Sequence, residues 1–328
     1  MRMRTPLFVG ALAGSLLLVP AAAQAVPCAV TDTMVEASQA WVTRGTDLAA
    51  NTWSNAGFHT GNLAQVRTTG ISNHKTWPWV QANHYLLPVD PAHPFAPDAQ
   101  ATGEPYLDVA YFHPEPEVLQ PLRDNLRAQV RDGGTYWRSP DALNMALPSF
   151  TRIALADHDQ AMLDYSFRSY QSLKARTFNE FTGLWSLNAQ TNGWAVQGLA
   201  KAVLALPADH PYRAEYARTL AKSVRTLTFL QRHDGFWGTT GKDSGATAMI
   251  TYAIAAGVNA GVLDRATYLP HAQKGWQALL TALDAGGLLG WTAARNSWRP
   301  ASADDSAGFA VGSLLLAGQQ LVPLTPGC

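Results

Sequence analysis

Between its loops, this 328-residue chain carries Ala- and Leu-rich segments whose apolar positions recur with a helical period, not in alternation. The pattern predicts helices at 31–50, 115–131, 140–156, 158–175, 193–206, 210–231, 245–260, 265–283 and 307–320. Asp209 before Pro211, Ser244 before Gly245 and Asp264 before Arg265 read as helix starts, because their oxygens suit the free amides of a first turn. No stretch reads as a run of strands, so the expected class is all-α. The segment 51–105, rich in Trp, His, Asn and Pro, breaks the helical pattern and reads as long loops at a rim.

A repeat suggests how the helices are arranged. Glycine-plus-aromatic loops recur at Asp132-Gly133-Gly134-Thr135-Tyr136-Trp137, Thr182-Gly183-Leu184-Trp185, Asp234-Gly235-Phe236-Trp237 and Gly286-Gly287-Leu288-Leu289-Gly290-Trp291. Their tryptophans are 48, 52 and 54 residues apart, with about two helices per interval. Six such hairpins use up the chain from residue 26 to 328. Closed on themselves they form an (α/α)6 toroid, one domain with the recurring loops gathered on one face around its funnel.

Charge and the chain ends narrow the class. Twenty-four basic residues balance twenty-four acidic ones, so nothing favours a nucleic acid or a membrane surface as partner. Met1-Arg2-Met3-Arg4, an apolar run from Pro6 to Val19 and Ala23-Gln24-Ala25 read as a secretory signal peptide over residues 1–25. The expected location is therefore secreted or periplasmic. Only two cysteines are present, Cys28 and Cys328, at opposite ends of the exported chain. In an oxidising compartment they are candidates for a bridge that staples the ends of a closed toroid.

Ser139-Pro140-Asp141-Ala142-Leu143-Asn144-Met145-Ala146-Leu147-Pro148 is where chemistry could sit. Ser139 suits an N-cap and Pro140 a first helical position, which places Asp141 at a helix mouth beside Tyr136, Trp137 and Arg138. The competing reading is that Asp141 only complements the helix dipole. Asp98 lies at a similar loop-to-helix junction, whereas capping or turn roles account for Asp234, Asp243, Asp304 and Asp305. His59, His74, His84, His93 and His113 fall at no ligand spacing, so no metal is expected. No nucleophile elbow, phosphate loop or dinucleotide fingerprint occurs, and no cofactor is called for. Carboxylate chemistry remains.

Residues 141–148 resemble the Asp-Ala-Leu-Phe-Met-Ala-Pro-Pro signature of unsaturated glucuronyl and rhamnogalacturonyl hydrolases, glycoside hydrolase families 88 and 105. Thr191-Asn192-Gly193-Trp194 is similar to their Arg-Gly-Asn-Gly-Trp motif. Ser244-Gly245-Ala246-Thr247-Ala248, Gly261 to Tyr268 and Gly312 to Gly318 match in the same order. The resemblance covers about residues 97–321 and implies an (α/α)6 barrel. It also implies a reaction: an aspartate protonates C4 of a 4,5-unsaturated terminal uronic acid, water adds at C5, and the hemiketal opens with loss of the glycosidic bond. Asp141 matches that aspartate, and spacing to Gly103 places the second carboxylate at Asp98. Trp137, Trp185, Trp194 and Trp237 become candidates for stacking on sugar, with core packing the other role for Trp194. Gln190 and Asn192 become candidates for substrate contact.

The chain also departs from the pattern. Gln190 stands where the family has arginine, Thr191 replaces a glycine, Asn188 replaces a tryptophan, and the segment from Phe178 to Asn192 is short. A uronate site without that guanidinium needs another, which Arg138 could supply. The leading reading is a secreted hydrolase that removes unsaturated uronic acid from oligosaccharides. The alternatives are a carbohydrate-binding toroid without turnover, or a toroidal polysaccharide lyase or saturated-uronide hydrolase. For a lyase, His233 is the histidine nearest a funnel loop.

Overall fold

A computed structural model describes residues 28–112, 118–295 and 297–328. The leader pattern of residues 1–25 and His113 lie outside the described residues. The helices are α1 (Ala29–Arg44), α2 (Trp53–Thr69), α3 (Thr76–Ala82), α4 (Pro97–Gln100), α5 (Gly103–Phe112), α6 (Gln120–Asp132) and α7 (Ala142–Met145). They continue as α8 (Leu147–Ala156), α9 (Gln160–Thr177), α10 (Ala189–Ala205), α11 (Pro211–Phe229), α12 (Ser244–Asn259), α13 (Arg265–Leu280) and α14 (Gly308–Leu321). Only isolated bridges, and no strands, occur among the described residues.

The helices form an (α/α)6 toroid. α2, α5, α8, α10, α12 and α14 make the inner ring, each touching the next, and α14 closes back onto α2. α1, α3, α6, α9, α11 and α13 lie outside them in chain order. Burial follows from these positions. On α12 every residue from Ser244 to Val258 is buried, whereas α11 buries one stripe that includes Tyr216, Leu220, Val224 and Leu227. Ring closure depends on bare backbone. A Cβ on Gly61 would meet the Gly312 carbonyl oxygen at 2.2 Å, and one on Gly312 would meet that of Gly57 at 2.0 Å. The chain ends are joined by a Cys28–Cys328 disulfide, with Cα atoms 5.0 Å apart.

The structure corrects the reading of residues 51–105 as rim loops. That stretch contains α2, an inner-ring helix, together with α3, α4 and the start of α5. Periodicity missed α2 because its buried face is largely polar: Asn55, His59, Thr60, Asn62 and Gln65 are all buried. Hydrogen bonds offset that burial. Asn62 accepts from Ser38 Oγ at 2.6 Å and donates to Asn73 Oδ1 at 2.9 Å and Thr76 Oγ1 at 2.8 Å. The helix expected at 140–156 is two helices, α7 and α8, parted at Ala146. Pro148 has no amide hydrogen to continue the ladder there.

The recurring loops all lead from an outer helix into an inner one, and each is tied to the next outer helix. Arg176 of α9 donates to the Trp137 carbonyl at 2.8 Å, and Thr226 of α11 to that of Thr182 at 2.5 Å. Gln231 donates to the His271 carbonyl of α13 at 3.1 Å, and Arg44 of α1 to Asp284 at 3.0 Å. Trp137, Trp185 and Trp237 point into the core and are 0%, 4% and 1% exposed. Sealing an indole from water buries roughly 150–250 Å², worth ~4–6 kcal/mol before entropy is counted. The repeat is therefore a device for seating each hairpin on the next.

Candidate active site

Asp141 is the residue just before α7, and its backbone carbonyl accepts from Asn144 and Met145. Asp141, not Ser139, stands at the N-cap position, and its side chain makes no capping bond to α7. The side chain is 10% exposed and is paired with Arg295 Nη2. Asp98, on α4, is paired with the same guanidinium: Nη1 to Oδ2 at 2.7 Å and Nη2 to Oδ1 at 3.1 Å. One arginine thus draws together the two aspartates singled out in the sequence. Burial works against its charge, but the hydrogen bonds it donates to Asp98 and the charges of Asp141 and Asp98 hold the guanidinium above its ordinary value.

These groups border an open cleft of about 690 Å³, which Arg138, Tyr136, Phe95 and His93 also line. Phe95 and Tyr136 meet edge to face at 4.9 Å and provide half-buried aromatic rings there. A second cleft of about 520 Å³ adjoins at Arg295 and carries Trp53, Arg299 and Asp304. The Arg295 guanidinium lies 4.9 Å from the centre of the Trp53 ring, in cation–π contact.

Arg295 did not emerge from the sequence, although a signal for it existed. α7 begins at Ala142 soon after Trp137, α10 at Ala189 after Trp185 and α12 at Ser244 after Trp237, but α14 begins only at Gly308 after Trp291. The fourth recurring loop is thus extended on the funnel side, and the extension carries Arg295. It is held from several directions. Ser244 donates its amide to the Trp291 carbonyl at 2.8 Å, and its hydroxyl lies 2.8 Å from that of Thr292. Gln190 donates Nε2 to the Ala293 carbonyl at 2.8 Å. Asp243, the N-cap of α12, accepts from the amides of Ala246, Ala293 and Gly245. Burial dominates over these bonds and pushes the Asp243 carboxyl up to about 7.

The other candidates take different places. Trp137, Trp185 and Trp237 are core residues and offer no ring to a sugar; Trp237 donates its indole to the Leu227 carbonyl at 2.7 Å. Trp194 is also buried, packed edge-on against Trp53 at 5.7 Å and against Phe309 at 4.8 Å. Asn192 fastens its own loop, accepting from the Trp185 amide and donating to the Ser186 and Asn188 carbonyls. Gln190 serves the Arg295 loop and is not among the residues lining the clefts. His233 is exposed and likewise outside the cleft lining. Among the described residues no His, Cys, Asp or Glu cluster is placed to hold a metal ion.

Comparison with known proteins places this geometry. An unsaturated 3S-rhamnoglycuronyl hydrolase from Formosa agariphila is 35% identical over 143 residues, 40% of this chain and 38% of that protein. Its counterpart from an Alteromonas species is 22% identical over 323 residues, 83% of this chain and 78% of its own. The solved structure of a family 88 glycosyl hydrolase from Bacteroides vulgatus superposes with a TM-score of 0.84 at 21% identity, over 90% of this chain and 99% of that one. The family model for Glycosyl Hydrolase Family 88 matches residues 29–322. That span takes in the inner ring, both aspartates and the Arg295 loop, and the chain belongs to glycosyl hydrolase family 88.

Proposed function

We propose that this glycoside hydrolase removes a terminal 4,5-unsaturated uronic acid from oligosaccharides left by polysaccharide lyases, with Asp141 as the proton-transferring residue. The observation that carries the reading is the state of Asp141. It is a carboxylate largely withdrawn from water, makes no bond to its helix, and faces a cleft beside a second carboxylate. A positioned carboxyl group of this kind suits general acid–base work. Asp141 first takes up a proton from solvent and then delivers it to C4, so positive charge develops at C5 and on the ring oxygen. Water adds at C5 and its proton returns to a carboxylate, leaving a hemiketal. The hemiketal opens to a ketone and the glycosidic bond to the leaving sugar breaks. Asp98, the more exposed of the pair at 43%, orients the water. The uronate end is supported by the two relatives named for unsaturated rhamnoglycuronyl hydrolysis. Export accords with the leader pattern and with a terminal disulfide, which persists in an oxidising compartment.

The test is a panel of lyase-generated oligosaccharides followed by the ultraviolet absorbance of the conjugated double bond. Hydration lowers that absorbance; a lyase acting on intact polymer would raise it. A folded protein that lowers it on none of the panel sinks the reading.

A further inference from the structure

We propose that Arg295 is the specificity-determining residue that receives the acidic group of the sugar. The inference rests on the hydrolase reading above and deepens it. A guanidinium has five N–H donors, and here Nη1 and Nη2 direct three hydrogen bonds at Asp98 and Asp141. Arg295 Nε is buried and has no hydrogen-bond partner. The two aspartates therefore do not use up the hydrogen-bonding capacity of this guanidinium, and a donor left unpartnered is costly.

Charge leads to the same residue. A uronate entering between Asp98 and Asp141 meets two carboxylates, and Arg295 is the cation that touches both. Without it the acid would be repelled. Asp98 is also the exposed partner, held by a planar two-oxygen contact that a sugar carboxylate can copy or displace. Position 190, where the family resemblance implies arginine, holds Gln190, whose amide grips Ala293 two residues before Arg295. In this chain the guanidinium comes from the α13–α14 loop, and position 190 helps to hold that loop in place.

The experiment compares an unsaturated uronate disaccharide with its C6 methyl ester. It reads KM where the ligand is turned over and Kd by calorimetry where it is not, so an inactive protein still gives an answer. The wild-type protein should prefer the acid by about 10–100-fold, the range expected for hydrogen bonds to a charged group. Arg295→Gln should lose that preference while its affinity for the ester stays within a few-fold. Arg295→Lys should keep part of it, and Arg138→Gln most of it. Affinity for the ester reports on folding and on the shape of the site, because a merely structural Arg295 would weaken both ligands alike. Equal affinity of the wild type for acid and ester, an intact preference in Arg295→Gln, or failure of the wild type to bind either ligand would overturn the assignment.

Discussion

Gln190 and Ala293 are hydrogen-bonded at 2.8 Å across the funnel face, from the first turn of α10 to the loop between α13 and α14. The bond matters because Ala293 is held in two ways: its carbonyl by Gln190 and its amide by Asp243. The Arg295 guanidinium two residues on therefore projects from a fixed stretch of backbone. Replacing Gln190 by Met keeps the length of the side chain and removes the donor. We expect a stability loss of about 1 kcal/mol together with a roughly 10-fold or larger drop in kcat/KM, since small misplacements of a positioned group are costly. Steady-state kinetics beside thermal melts would separate the two; a variant with unchanged kinetics would show that the loop needs no help from position 190.

Asp141→Asn should abolish turnover without unfolding the protein. Its carboxylate caps no helix amide, so α7 loses no hydrogen bond when the charge is removed, and Arg295 keeps Asp98 as partner. Removing a general acid typically costs about 10²–10⁴ in rate. Loss of double-bond absorbance is the readout, with the melting temperature as control. Residual activity within a few-fold of the wild type would pass the role to Asp98 or to another group.

Most helices of both rings, the all-α class and the hairpin repeat were legible because they rest on local signals: apolar stripes such as that of α11, caps such as Asp264, and turn glycines. α2 was illegible for the opposite reason. It faces the ring interior with Asn, His, Thr and Gln, whose burial depends on partners such as Ser38 and Thr76 that no local pattern announces. The two aspartates were found through the family motif and the spacing to Gly103, and the bridging arginine was not. Arg295 lies 154 residues from Asp141 in the chain, and periodicity carries no information about that pairing. The tryptophan loops misled because glycine next to an indole suits a sugar platform and a packed hairpin corner equally well. Burial decides for the corner at Trp137, Trp185 and Trp237.

Two buried groups should oppose each other in acid stability. Burial raises Asp243 from 3.8 to about 7, so the folded state holds its proton more tightly than the unfolded chain does. The stability from this group is full below about pH 4 and is lost as pH rises toward 7. Burial lowers His59 from 6.5 to about 3, so here the unfolded chain binds the proton and stability is gained as pH rises from about 3 to 6.5. Each slope is up to about 1.4 kcal/mol per pH unit, and between about pH 4 and 6.5 they cancel. Asp243→Asn keeps an N-cap but removes one slope. The variant should gain stability relative to wild type above pH 7 and become more acid-labile than wild type below pH 6. Denaturant titrations at half-unit pH intervals would read this; parallel curves for the two proteins would mean that the Asp243 carboxyl binds its proton equally well in the folded and unfolded states.

Closure of the toroid supplies the last prediction. α14 lies against α2 where Gly312 faces Gly57 and Gly61, and a methyl group at 312 would stand 2.0 Å from the Gly57 carbonyl oxygen. Neither backbone can retreat cheaply, because both helices belong to the inner ring and each is packed against a further inner helix. Gly312→Ala should therefore cost about 1–3 kcal/mol or more, despite the higher intrinsic helix propensity of alanine, which alone would stabilise by about 1 kcal/mol. The sign of the change in melting temperature decides between the two effects. Gly70→Ala gives the contrasting case: it has open space around it but a φ of +73°, so its cost would come from backbone strain alone. If Gly312→Ala raised the melting temperature, the ring would have to be looser at its seam than the Gly57–Gly312 approach requires.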